Sequence, residues 1–233
     1  MKRAVVMLGL LCGTVLASEP EVAMQPNSIK LPEPSFKGKL TVEEALKARR
    51  SVREFRDEPL TLAEVAQLLW AAYGVTQPLP GGQLRGGLKT APSAGALYPL
   101  EIYLVAGKVT GLSAGVYRYL PETHALEKVL DGDRRQSLAA AAWGQEMIAR
   151  APAAIVYSAV FERNTWKYGQ RGRQRYVCMD LGHSAENVYL QAVALGLGTC
   201  AVGAFDDAGV KQVVSMTKPE EPLYIMPLGR PRQ

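Results

Sequence analysis

The chain of 233 residues carries little that suits the commonest metal and nucleotide chemistries. Histidine occurs twice, at His124 and His183, and cysteine three times, at Cys12, Cys178 and Cys200. Neither residue recurs at a zinc-binding spacing, so no metal site is expected. A dinucleotide fingerprint of the GxGxxG kind is missing. Gly82 and Gly87 ahead of Lys89-Thr90 imitate a phosphate loop only superficially, because Leu88 stands where the lysine belongs. Long basic tracts and interleaved aromatics are absent, which argues against nucleic acid as a partner. His183 lies beside Ser184 and near Asp180, but adjacent helical residues do not face each other, so no hydrolase triad is expected. His183 reads instead as an interior histidine.

Hydrophobic residues make up 48% of the chain, which excludes a disordered polypeptide. The formal charge of +5 fits a small anionic ligand as well as it fits nucleic acid, so it does not choose between them. Lys2 and Arg3 precede an apolar run from Ala4 to Ala17 that ends in a small-residue cleavage pattern, so residues 1–17 read as an export signal. The run is short for a membrane span, and periplasmic or secreted location without stable membrane insertion is expected. Residues 18–40 then form an extended, proline-containing arm and residues 41–233 a single domain. Cys178 and Cys200 could pair in an oxidising compartment; the preferred reading is two small buried apolar residues.

Thr41 followed by Glu44 makes a capping-box pattern that opens a helix to Arg50 with Val42, Ala45 and Leu46 inward, and Thr61 starts another in which Leu62, Val65, Leu68 and Leu69 recur at helical spacing up to Tyr73. Residues 74–89 read as a flexible, glycine-rich loop. Strands are expected over 101–106, 116–120, 125–130, 153–161, 199–205 and 223–228. Helices are expected over 134–150, 175–195 and 207–214, with a basic loop over 163–175. This mixture favours an α+β fold, without internal repeats.

Three segments carry candidate chemistry. Ala91-Pro92-Ser93-Ala94-Gly95-Ala96-Leu97-Tyr98-Pro99 offers small residues and bare backbone that could press flat against a planar cofactor. Gly198 and Gly203 frame a second close approach. Arg49-Arg50-Ser51-Val52-Arg53 could hold a phosphate, since arginine presents a planar fork to it; the other reading is a solvated basic helix end. Taken alone the basic cluster reads sooner as that solvated helix end; it is the order of the three along one chain that suggests a cradle for flavin mononucleotide (FMN).

Arg49 to Phe55, Pro92 to Pro99, Trp166-Lys167-Tyr168, Asp180-Leu181-Gly182-His183, Leu195 to Gly198 and Gly203-Ala204-Phe205 together resemble the nitroreductase family, and within it the SagB-type azoline dehydrogenase branch. The resemblance runs from about Thr41 to Pro231. It implies a central, mostly antiparallel sheet flanked by helices in an interlocked homodimer, with FMN at the subunit interface. By the same resemblance Arg49, Arg50, Ser51 and Arg53 belong to the phosphate side. Pro92, Ser93, Ala94 and Gly95 form the wall supplied by the partner subunit, and Gly203 is a backbone donor near flavin N5. Arg230 and Arg232 add charge at the phosphate, and Gln145 is a polar contact. Lys167 and Tyr168 are implicated in catalysis in the azoline branch. Removing a hydride from a thiazoline or oxazoline also releases a proton, which such a pair could accept; a surface loop anchored by Trp166 is the competing reading. The implied activity is hydride exchange with a small molecule or peptide heterocycle. A non-catalytic flavin-binding protein is the alternative.

Overall fold

The computed structural model describes residues 28–232. The export signal read over residues 1–17 and the first part of the arm therefore lie outside the described residues. The chain begins with β1 (Ser28–Lys30), α1 (Val42–Ala48), β2 (Leu60–Thr61) and α2 (Leu62–Tyr73). A hairpin of β3 (Val75–Pro78) and β4 (Gly87–Lys89) leads to β5 (Leu100–Ala106), the short β6 (Val109–Thr110), β7 (Gly115–Leu120) and β8 (Ala125–Asp131). Two helices, α3 (Arg135–Ala141) and α4 (Glu146–Arg150), precede β9 (Ala153–Val160) and α5 (Glu162–Arg171). The long α6 (Val177–Ala194), β10 (Gly198–Thr199), α7 (Asp207–Val214) and β11 (Glu220–Gly229) complete it.

Seven strands form the central sheet in the order β1-β8-β7-β5-β9-β11-β10, and every neighbouring pair is antiparallel. Its middle strands are apolar on both faces, so helices cover both. Side chains alternate along β5: Ile102 and Leu104 join the core with α2 and α6, whereas Tyr103 and Val105 face α3, α4 and α7. Val65, Leu68 and Leu69 of α2 meet Leu181, Ala185 and Val188 of α6 on the first face. Leu138, Ile148, Val210 and Val214 fill the second. The expected α+β architecture with a central antiparallel sheet is what the chain adopts.

Several local expectations need correction. On α1 only Ala45 is buried; Val42 and Leu46 are exposed, because this seven-residue helix turns a narrow stripe toward the rest of the chain. The glycine-rich segment 74–89 is paired as the β3–β4 hairpin, its positive-φ glycines confined to the turn and the start of β4. The helix expected over 134–150 is two helices, since Trp143 (φ 54°) and Gly144 (φ 77°) stop the first with Gly144 N–H bonded to the Ala139 carbonyl. Residues 163–175 are helical rather than a loop. Of the strand expected over 199–205 only Thr199 pairs along an edge, as the second residue of β10, and Val202 makes a single bridge to Ile225 before the chain leaves the sheet. His183 is exposed. Cys178 is exposed and Cys200 buried, and both are free thiols.

Candidate active site

The segment between β4 and β5 is a tight, strained turn. Gly95 (φ 63°), Ala96 (φ 53°) and Tyr98 (φ 47°) all adopt left-handed backbone, which costs about 1–2 kcal/mol for each residue other than glycine. Surrounding bonds enforce it. Ser93 Oγ donates to Asp180 Oδ2 at 2.5 Å and Ala94 N–H to Asp180 Oδ1 at 3.1 Å, while Ser93 Oγ accepts from Tyr98 N–H at 2.9 Å. Asp180 projects from α6 and is buried; that burial raises its carboxyl above the usual range despite the Ser93 and Ala94 bonds.

The β3–β4 hairpin braces the turn from the other side. Arg85 donates to the Tyr98 carbonyl at 2.6 Å and to Glu101 at 2.6 Å; Glu101 also pairs with Arg163 at 2.7 Å. Lys89 N–H reaches Tyr98 Oη at 3.3 Å, and its buried ammonium donates to the Arg85 carbonyl at 2.8 Å. Burial, with the neighbouring Arg85 charge, pushes the Lys89 amine down to about 8. Asp180, Arg85 and Glu101 escaped the reading of the sequence as supports, because their partners are 13 to 87 residues away.

Lys167 and Tyr168 converge on this turn. A Cβ built on Gly95 would lie 2.5 Å from Tyr168 Oη and 3.1 Å from Lys167 Nζ. Glycine is therefore demanded here both by backbone angle and by the closeness of two side-chain atoms. The pair stands on α5, and Lys167 Nζ is 5.3 Å from the Tyr168 ring centroid. Trp166 is 74% exposed, so it is not packed into the core of the described residues.

A second cluster gathers at the other end of α6. Ser51 bridges Thr199, and Val52 N–H bonds the Thr199 carbonyl at 2.9 Å. Tyr189 Oη accepts from Ala201 N–H at 2.7 Å and stands 3.4 Å from Ser51 Oγ, while the Arg49 guanidinium lies over the Tyr189 ring. Tyr189 is thus a member that no motif signalled. Gln145 Nε2 donates to the Ala204 carbonyl at 2.8 Å, tethering the exposed Gly203-Ala204 segment to the start of α4.

The arginines differ in availability. Arg53 and Arg232 line one cavity of about 770 Å³, drawn together by the Arg232 N–H bond to the Glu54 carbonyl. Arg50 donates to the carbonyls of Lys47 and Arg49 and so closes α1. Arg230 is held between Glu64 at 2.9 Å and Glu58 at 3.3 Å, which neutralises it. Asp180 and Tyr189 are nine residues apart on α6, roughly 14 Å of helix. The Gly95 turn and the Ser51–Ala201 cluster are therefore two separate contact groups on one chain.

A small-residue turn, two basic groups and an antiparallel sheet between helices define a known class. The nitroreductase family model matches residues 46–230, and the chain belongs to that family. A nitroreductase homologue of Methanocaldococcus jannaschii is 48% identical over 191 residues, covering 82% of this chain and 91% of its own. The microcin B17-processing protein McbC of Escherichia coli is 30% identical over 162 residues, 67% of this chain and 57% of its own. Among solved structures, a nitroreductase-family protein of Ralstonia eutropha superposes with a TM-score of 0.75 at 30% identity, covering 94% of this chain and 96% of its own. The E. coli microcin synthetase McbBCD complex with truncated pro-MccB17 bound contains a chain that superposes at TM-score 0.66 and 26% identity, covering 99% and 85%.

Proposed function

We propose that this protein is an FMN-dependent oxidoreductase, acting as a homodimer, that exchanges a hydride with a small molecule or peptide heterocycle of the azoline type. The observation that carries the proposal is the convergence of Lys167 Nζ and Tyr168 Oη on the side-chain-free face of Gly95. Nitroreductase-family proteins typically bind flavin, and the residues here fit one. Gly95 and its alanine neighbours leave a wall thin enough for a flat ring. Arg53 and Arg232 are unpaired with carboxylates among the described residues and share a cavity, so a phosphate would find free charge there. Arg49 and Ser51 stand beside Tyr189, whose hydroxyl holds Ala201 N–H two residues before the exposed Gly203.

Bound FMN supplies two-electron chemistry, taking up or giving back a hydride. The chain supplies position and proton handling. Ser51, Arg49, Arg53 and Arg232 would hold the phosphate side and Gly203 a ring-side contact, with Gln145 fixing that segment from behind. Pro92–Gly95 would close the site from the partner subunit, since about 14 Å of α6 separates the two groups within one chain. Converting an azoline to an aromatic azole removes a hydride from one ring carbon and a proton from its neighbour; Lys167 or Tyr168 takes that proton. The name of McbC, a microcin-processing protein, supports a peptide-borne substrate. Export, if residues 1–17 direct it, favours oxygen or a quinone over a nicotinamide as the electron partner.

Anaerobic mixing of flavin-loaded protein with a synthetic thiazoline peptide tests this reading. Loss of the visible flavin absorbance, abolished by Lys167→Ala or Tyr168→Phe without loss of FMN, is the expected result. A yellow protein that no thiazoline, oxazoline or quinone oxidises or reduces is a flavin-binding protein without turnover, and the proposal fails. A protein that takes up no FMN refutes it outright.

A further inference from the structure

Tyr168 and Tyr176 are eight residues apart, which in an uninterrupted α-helix means about 12 Å of axial rise. Their ring centroids instead stand 4.9 Å apart, edge to face at 87°. Two departures from the helix bring this about. Gly169 takes φ 55°, ψ −143°, a backbone region that side chains strongly disfavour. A π-helical turn over Gly172–Tyr176 then adds further slack. Nothing lies within 4 Å of where a Gly169 Cβ would be, so backbone angle rather than space requires glycine.

The far side of the pair is also tied down. Arg171 Nε donates to Tyr176 Oη at 2.8 Å, and its guanidinium carbon lies 5.6 Å from that ring's centroid. Tyr168 and Tyr176 are only half buried and Arg171 is exposed, so this arrangement adds little to the core. A disfavoured backbone at a partly exposed aromatic pair, beside the Gly95 turn, needs another reason.

We infer that Tyr176, steadied by Arg171, is a positioning residue that sets the Tyr168 ring against Gly95, and that the break at Gly169 exists to bring these residues together. The inference rests on the reading of Tyr168 as a proton-handling group. Tyr176 acts through the ring edge, which fixes where Tyr168 Oη stands; it exchanges no proton itself.

The test uses FMN-loaded protein carrying 13C-labelled tyrosine, with the Tyr168 resonance assigned by its loss in Tyr168→Phe. Two readouts are followed, that resonance and flavin bleaching by a thiazoline peptide. Tyr176→Leu is expected to move the Tyr168 resonance and to lower kcat about tenfold to a hundredfold with KM little changed, the cost of a misplaced reacting group. Tyr176→Phe retains the ring edge and restores kcat to within about threefold of wild type. Gly169→Ala, which creates no clash, repeats the Tyr176→Leu pattern, and should Tyr176→Leu fail to fold it carries the test. An unmoved resonance and unchanged kcat in Tyr176→Leu, while Tyr168→Phe is inactive, overturns the positioning role alone. A moved resonance with unchanged kcat does the same. Full turnover in Tyr168→Phe overturns the catalytic reading of Tyr168 and this inference with it.

Discussion

Replacing Gly95 by alanine adds one methyl group at the point where the turn meets Lys167 and Tyr168. At φ 63° the new side chain raises the backbone energy by about 1–2 kcal/mol. The methyl carbon would sit 2.5 Å from Tyr168 Oη, whereas ordinary contact begins at 3.4 Å, so the hydroxyl must retreat by about 0.9 Å. A displacement near 1 Å lowers turnover by about 100-fold when the displaced group takes part in the reaction. Gly81→Ala is the matched control: its φ of 66° gives the same backbone cost, but nothing lies within 4 Å of the added carbon. Calorimetry should find both variants lowered by a similar amount, about 2–8 °C for a domain of this size. Anaerobic flavin bleaching should then separate them, with Gly81→Ala close to wild type and Gly95→Ala about 100-fold slower. Equal rates in the two variants would refute the argument that the Gly95 face is where the lysine and tyrosine work.

Other substitutions divide binding from stability. Arg53→Ala or Arg232→Ala should weaken FMN binding by about tenfold or more, in line with the loss of a charge-assisted phosphate contact, with little change in Tm; fluorescence titration measures it. Arg230→Ala should do the reverse, lowering Tm by leaving Glu58 and Glu64 facing each other without their shared cation. Glu101→Gln should destabilise the protein by about 1–3 kcal/mol and speed hydrogen exchange across the β3–β4 hairpin, because Arg85 and Arg163 lose a common partner. Lys89 gives a pH test. Its folded value of about 8 lies below the ordinary 10.5, so between these the unfolded chain binds the proton that the folded one does not. Stability should accordingly rise with pH across this window by up to about 3 kcal/mol relative to Lys89→Met, measured by urea unfolding at several pH values.

Local rules carried the reading of the sequence where the governing contacts were local. The capping box at Thr41 starts its helix as expected, and the helix read from Thr61 does begin there, closed by a second box with Glu64; the helix over 207–214 has the bounds read for it. Alternation located β5, β7 and β8. What failed was tertiary. Nothing in residues 74–89 announces that Arg85 will be seized by Glu101 and by the Tyr98 carbonyl, and that seizure turns a glycine-rich stretch into a fixed hairpin. Residues 163–175 read as a loop because their charge hides a helix broken at Gly169. The candidate site was legible as motifs and not as assembly: Lys167 and Gly95, 72 residues apart in sequence, meet only because α5 folds back over the turn. Arg230 shows the converse, a cation in the right place by pattern whose charge two carboxylates already occupy.

The sheet ends, on one side, in the three residues of β1. They lie along Ala125, Leu126 and Glu127, and the next residue, Leu31, extends the seam through its N–H bond to the His124 carbonyl. A recombinant start placed after Lys30 would therefore do more than trim a tail. It would strip the cover from the first half of β8 and bare a ribbon of hydrogen-bonding groups over an apolar interior, an adhesive border at which one molecule can stack onto the next.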